Sequence, residues 1–186
     1  MINKCFNPFP ILETNRLILR QVDFKDEEQL FELLSNPEVA KFDYFYPIKS
    51  SVEARKFIER YNDELAENEE ITWGISLKET NKLIGVCCLG DFDDGARRAE
   101  IGYDITQKEW GKGYATEAVK AVISFGFNHM NLNRIEATIT PGNYASIRVL
   151  EKLEFITEGI VRERDLIKDK LEDGIIMSIL KREYIQ

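Results

Sequence analysis

The chain of 186 residues has a single histidine, His129, and three cysteines, Cys5, Cys87 and Cys88. It contains no C-x-x-C pair and no Cys/His spacing of the kind that holds zinc, so no metal is expected. Cys87 and Cys88 are adjacent within an apolar run and read as packing residues. No apolar run approaches the roughly 20 residues of a membrane-spanning helix. The opening MINKCFNPFP lacks the apolar core and small-residue cleavage site of a secretory signal. The expected compartment is therefore the cytoplasm, with no membrane partner. Basic residues are also in deficit, 25 Lys and Arg against 33 Asp and Glu, for a formal net charge of −8. That argues against a nucleic-acid partner, which needs a basic face to neutralise phosphates. A cationic partner such as an amine, a basic peptide or a basic protein fits the sign, and so does solubility alone.

What is present is ordinary for a globular protein: 44% hydrophobic and 31% charged residues, without repeats, low-complexity tracts or a Pro/Gly/Ser linker. The length predicts one domain, residues 11–184 after a tail over 1–10. RLILRQV, from Arg16, alternates as a strand does. DEEQLFELLS puts Leu30, Leu33 and Leu34 on one helical face and stops before Pro37. KFDYFYP gathers Phe42, Tyr44, Phe45 and Tyr46 in a loop that either walls a site or plugs the core. Ser50 with Glu53 matches a capping box, opening a helix with Ala54, Phe57, Ile58, Tyr61 and Leu65 at helical spacing. The period then changes. ITWGISL (with Trp73 as a core residue), KLIGVCCLG and RAEIGYDI read as three strands. A helix carrying Ala118, Val119, Val122, Ile123 and Gly126 follows, then the strand RIEATIT, the short helix NYASIRVLEKL and a closing hairpin turning near Lys168 to Asp173. The order β-α-α-β-β-β-α-β-α-β-β predicts a mixed α/β (α+β) domain with a largely antiparallel sheet.

The stretch EWGKGYATEA, from Glu109, sets two glycines directly before a helix. It is either a tight turn or an anion cradle. The Walker string GxxxxGK[ST] is absent. A dinucleotide-binding GxGxxG fails because Thr116 stands at the third glycine. The remaining cradle reading is a pyrophosphate on the amides of Gly111 to Ala115, where bare backbone admits it and the helix dipole favours its charge.

Trp110-Gly111-Lys112-Gly113-Tyr114-Ala115 resembles the acyl-coenzyme A pyrophosphate motif [RQ]-x-x-G-x-[GA] of the GNAT acetyltransferases, with Trp110 in the Arg/Gln slot. NYASIRVLEKLEF resembles the family's second motif through Asn143, Ser146 and Phe155, and AEIGYDI its preceding strand. ETNRLILR is similar to the RimJ/RimL branch, which acetylates protein N-termini and small amines. The resemblance spans about residues 11–184. Leu150 stands where many members carry a tyrosine acid, and Glu154 where they carry glycine.

The resemblance implies an acetyl-coenzyme A-dependent N-acetyltransferase, slightly favouring a protein or peptide N-terminus over a small amine such as a polyamine or amino-sugar. A non-catalytic acyl-coenzyme A binding module is the alternative, and the assembly is a monomer or homodimer. A protonated amine has no lone pair, so a carboxylate must help to remove a proton. Glu100 is the first candidate base and Asp165 the second; each is otherwise a solvated carboxylate. Ser146 would orient the thioester or assist the thiolate, and Tyr144 is a weaker acid candidate. Asn143 would cap its helix and bind pantetheine. Backbone at Tyr103, Asp104 and Ile105 would bond the pantetheine amides. Trp110, Gly111, Lys112, Gly113, Tyr114, Ala115 and Thr116 form the phosphate turn, with Arg148 and Lys152 near the nucleotide phosphates.

Overall fold

The computed structural model describes residues 1–4 and 6–184, so Cys5 lies outside the described residues. Among the described residues, eight strands form one sheet in the order β1-β2-β3-β4-β5-β6-β8-β7. They are β1 (Leu12–Glu13), β2 (Leu17–Gln21), β3 (Ile71–Leu77), β4 (Leu83–Asp93), β5 (Arg98–Ile105), β6 (Arg134–Ile139), β7 (Ile156–Ile167) and β8 (Lys170–Leu180). Four α-helices accompany them among the described residues: α1 (Glu27–Leu34), α2 (Ser51–Glu67), α3 (Tyr114–Asn128) and α4 (Tyr144–Lys152). Every strand pair is antiparallel except β5 with β6, which α3 joins as a crossover. This is the mixed, mostly antiparallel α/β domain expected, in the expected order, with the two-residue β1 added ahead of it.

Strand alternation divides the core. Val86 packs with Leu30, Leu33, Leu34, Ala54 and Ile58 beneath α1 and α2, whereas its neighbour Cys87 packs on the opposite face with Trp73, Val119, Val122 and Ile123. The buried Trp73 donates its indole N–H to the Pro10 carbonyl at 2.8 Å, and Ile2 and Phe6 lie buried against the same core.

Two local expectations change. Ser50 does stand at the N-cap of α2, but its hydroxyl donates to Glu53 at 3.0 Å instead of accepting a helix N–H. The β7–β8 turn is tighter than the sequence indicates. Lys168 and Asp169 alone make it, at φ 48° and 66°, the left-handed pair that a two-residue hairpin requires.

Candidate active site

β5 and β6 pair for only three residues, Arg98 to Glu100 against Arg134 to Glu136. Beyond them the strands part, while β5 stays on β4 to Ile105 and β6 stays on β8 to Ile139. The inner edges of this wedge offer backbone groups without a strand partner among the described residues, and such groups need a partner from elsewhere. One is already met: Thr138 N–H donates to Glu100 Oε1 across the gap at 3.2 Å.

Just past the end of β5, the Trp110 indole donates to the Ile105 carbonyl at 2.6 Å and so fixes the start of the glycine turn. Gly111 and Gly113 follow at φ 76° and 81°, a region costly for residues with a Cβ. Gly113 is the N-cap of α3 and supplies no side-chain cap, so the first amides of the helix stay available. A Cβ on Gly111 would meet nothing within 4 Å; the turn faces open space. It is nevertheless held. Arg16 donates to Glu117 at 2.7 Å and to the Lys112 carbonyl at 3.0 Å, with its guanidinium 4.5 Å over the Tyr114 ring. Glu117 also accepts the Thr14 hydroxyl at 2.6 Å and the Arg16 backbone N–H at 2.9 Å.

On the α1/α2 face of the sheet the wedge opens into a cavity of about 610 Å³. Its lining includes six carboxyl side chains, Asp43, Glu70, Asp91, Glu100, Asp104 and Asp165, against one guanidinium, Arg60. Phe42, Tyr44 and Phe45 wall it, so the aromatic loop bounds the cavity. The β7–β8 turn pins that loop: the Lys168 ammonium donates to the Ala40 and Lys41 carbonyls, and Tyr46 donates to Asp169 at 2.9 Å.

At the outer end, Arg164 lies 3.8 Å from both Glu100 and Asp165. Burial raises the proton affinity of Glu100 above that of an ordinary glutamate, outweighing the Thr138 hydrogen bonds and the Arg164 charge. Burial, followed by the Asp165 and Glu100 charges, pushes the Tyr44 hydroxyl up to about 12. At the inner end, burial raises Asp43 to about 6 against the weaker pull of Lys168, and raises Asp104 well above its usual range, reinforced by Asp43.

Of the residues singled out by sequence, Glu100, Asp165, Tyr103, Asp104, Asn143 and Ser146 meet at this cavity. Tyr103 donates to the Ser146 carbonyl at 3.2 Å, and Asn143 caps α4 by accepting the Ser146 N–H at 3.2 Å. Ile105 and the stretch Trp110, Gly111, Lys112, Gly113, Tyr114, Ala115 and Thr116 lie outside the cavity lining, at and beyond the end of β5. Lys112 is paired with Glu109 at 2.8 Å; Arg148 and Lys152 are exposed on α4. Leu150 is fully buried, so a tyrosine in its place would have to enter a filled core. Sequence reasoning missed Asp43, Tyr61, Glu70, Cys88 and the side chain of Asp104. The alternation Glu100-x-Gly102-x-Asp104 was the one available signal, since it puts two carboxyls on the face of a strand otherwise apolar on its other side.

The family model described as "Acetyltransferase (GNAT) domain" matches residues 16–156. An uncharacterized N-acetyltransferase, p20, of Bacillus licheniformis is 42% identical over 173 residues, 93% of this chain and 97% of that protein. The spermidine N(1)-acetyltransferase of Escherichia coli strain K12 is 24% identical, covering 90% of this chain and 87% of its own. Among solved structures, a GNAT-family acetyltransferase from Bacillus anthracis superposes with a TM-score of 0.82 at 29% identity, over 94% of this chain and 100% of that one. RimJ of Mycobacterium smegmatis, solved with CoA-disulfide, gives a TM-score of 0.84 at 22% identity, over 95% and 88%.

Proposed function

The chain belongs to the GNAT acetyltransferase family and is an acetyl-CoA-dependent N-acetyltransferase, and from that premise we propose that its acceptor is a small cationic primary amine deprotonated at Glu100. The observation that carries the reading is the cavity beside the wedge: of its six carboxyls, Asp91 pairs with Arg98 and Glu100 and Asp165 lie by Arg164, while Asp43, Glu70 and Asp104 have no ion pair among the described residues. Negative walls of low polarisability concentrate a cation and repel an anionic competitor.

The residues present fit acetyl-CoA. An open, left-handed turn on an uncapped helix suits a pyrophosphate, and the unpaired edge of β5 suits an amide-bearing arm. Gly111 to Ala115 would hold the phosphates, with Tyr114 and Thr116 in the first turn of α3 and Lys112, Arg148 and Lys152 in range as counter-charges. Trp110 would act by shaping the turn, its indole N–H being already committed to Ile105. The backbone around Tyr103 and Asp104 and the start of α4 at Asn143 and Ser146 would orient the arm. When bound, acetyl-CoA supplies a thioester whose carbonyl carbon accepts the amine and whose sulfur leaves.

The remaining work is proton transfer. An alkylammonium, with a pKa near the lysine value of about 10.4, must lose a proton before its lone pair can attack. Glu100 takes that proton; burial has raised its affinity, which improves the match between base and acid. Asp165, sharing Arg164 with Glu100, is the second acceptor and relays the proton that nitrogen sheds after attack. Ser146 orients the thioester and stabilises charge as it develops on sulfur.

A polypeptide N-terminus, toward which the sequence leans, is the second reading. It is favoured by Tyr44, a cavity-lining residue left 64% exposed for a peptide to lie against. Coenzyme A release measured across monoamines, diamines and N-terminal peptides separates the two. Small amines are expected to exceed peptides at least about tenfold in kcat/KM, the equivalent of one charge-assisted hydrogen bond. The reverse order would transfer the assignment to the peptide reading.

A further inference from the structure

The proposed proton transfer uses only the outer end of the cavity. Alternation along β5 places Asp104 on the same face as Glu100, four residues on and therefore about 13 Å away along the strand. Asp104 shares the inner end with Asp43 of the aromatic loop, Tyr61 of α2, Glu70 just before β3, and Cys88 of β4. A Cβ on Gly102, between the two carboxyls, would come within 3.1 Å of the Cys88 sulfur; glycine there leaves the floor open.

This inner end is polar yet unsatisfied. Asp43 Oδ2 is buried without a hydrogen-bond partner among the described residues. Tyr61 is only 9% exposed, and its hydroxyl has no hydrogen-bond partner among the described residues although the residue lines the cavity. Among the described residues, Asp104 makes neither a hydrogen bond nor an ion pair. The cations nearby are committed elsewhere: Lys168 to the Ala40 and Lys41 carbonyls, Arg60 to the faces of Phe57 and Tyr61 at 4.7 and 5.5 Å. A buried carboxylate oxygen on Asp43, the half-buried Asp104 carboxyl and the hydroxyl of a nearly buried tyrosine, all without partners among the described residues, are costly unless a ligand supplies donors and positive charge. An ammonium supplies both, with three donors.

We propose that Asp104, Asp43 and the Tyr61 hydroxyl form a subsite for a second ammonium group of the acceptor. The enzyme thereby selects diamines and polyamines whose nitrogens span the distance from Glu100 to Asp104. This deepens the small-amine reading and rests on it.

Binding a cation there also moves protons. Burial keeps Asp43 and Asp104 protonated to higher pH than usual, and an ammonium opposes that by favouring the carboxylates. The other titratable and charged groups around them are Tyr61 and Arg60 of α2, Glu70 just before β3, Cys87 and Cys88 of β4, Tyr103 of β5 and Lys168 of the hairpin. Of these, Tyr61, Cys87, Cys88 and Tyr103 are raised by burial and stay neutral through the range in question. Diamine binding between pH 6 and 7 should therefore release protons, a signature that a merely structural carboxyl would not give.

The test compares α,ω-diamines of four to ten carbons with monoamines of equal length, in steady-state kinetics and in calorimetry using buffers of different ionisation enthalpy. The parent should favour the best diamine by at least about tenfold in kcat/KM. Asp104→Asn should reduce the preference to within about threefold and abolish most of the proton release. Asp43→Asn, on a separate element, should act in the same direction and serves where Asp104→Asn fails to fold. A parent without diamine preference, or variants that retain it, would overturn the subsite while leaving the amine reading intact. Should only peptides be acetylated, the amine reading fails, and calorimetry decides the subsite: diamine binding lost in Asp104→Asn keeps it, and no binding removes it.

Discussion

A carboxyl serves as base toward an ammonium only where its proton affinity has been brought up, and burial does this at Glu100. The cross-strand bond from Thr138 holds it at the mouth of the wedge. Glu100→Gln keeps the shape and loses the proposed base. Turnover at pH 7 should fall by about 10²–10⁴-fold and recover partly by pH 9.5, as free amine accumulates, with the acetyl-CoA Kd nearly unchanged. Equal activity at every pH would pass the role to Asp165. Glu100 was legible from the family's strand motif. Asp43, Tyr61 and Glu70 were not: they stand 57, 39 and 30 positions before Glu100, and nothing in their own neighbourhoods marks them as converging. Glu154 is a case where a departure explains itself. At φ 66° it holds the left-handed position that glycine fills without strain, so its exchange alters a turn and nothing in the site.

Among the elements, the glycine turn shows how openness and order combine. Bare backbone would be mobile by itself, but Arg16 ties the turn to Glu117 and to the strand hairpin at Thr14. The sequence displayed both halves, ETNRLILR and GYATEA, without showing that they touch; residues 101 apart meet only because β2 and α3 pack together. Gly113→Val places a branched side chain at φ 81° with its Cβ 3.5 Å from the Arg16 guanidinium. It should cost about 1–2 kcal/mol of stability from the left-handed backbone. The acetyl-CoA Kd should rise more than that loss accounts for, by at least about tenfold, because the phosphate approach is blocked. Isothermal titration beside a urea melt measures both; an unchanged Kd in a folded variant would remove the cradle from the turn. The helices and strands themselves were readable because period and turn chemistry agree along most of the chain. What the pattern could not contain is the parting of β5 from β6, since the apolar alternation of each strand continues unbroken past the point where pairing stops.

For the whole molecule, the net charge of −8 fits a cationic partner and solubility alike, and does not tell where the charge is gathered. Folding draws part of it into one cavity, and the cost is visible in the direction of the titrations. Asp43, Asp104, Glu100 and Glu64 are held above their ordinary values, in each case chiefly by burial. Asp23, Glu32, Asp93, Glu117 and Glu158 are held below theirs by hydrogen bonds and neighbouring cations that outweigh desolvation. The depressed group contributes stability that is complete above its unfolded values of 3.8 to 4.5 and is lost only on further acidification. The raised group acts oppositely. Between its unfolded values and its folded ones the native state binds more protons than the unfolded chain, so stability falls as pH rises. Above pH 4.5 only the raised group still changes. The urea midpoint of the ligand-free protein should therefore decline from pH 5 to pH 7, and the decline should ease once the value of about 6 held by Asp43 is passed. Asp43→Asn and Asp104→Asn remove ionising groups from the inner end and should flatten that decline, and a saturating diamine should flatten it in the parent by stabilising the carboxylates. A midpoint that rises through this range would mean that the cavity carboxylates are paired in solution, and would leave no unbalanced charge for an acceptor to meet.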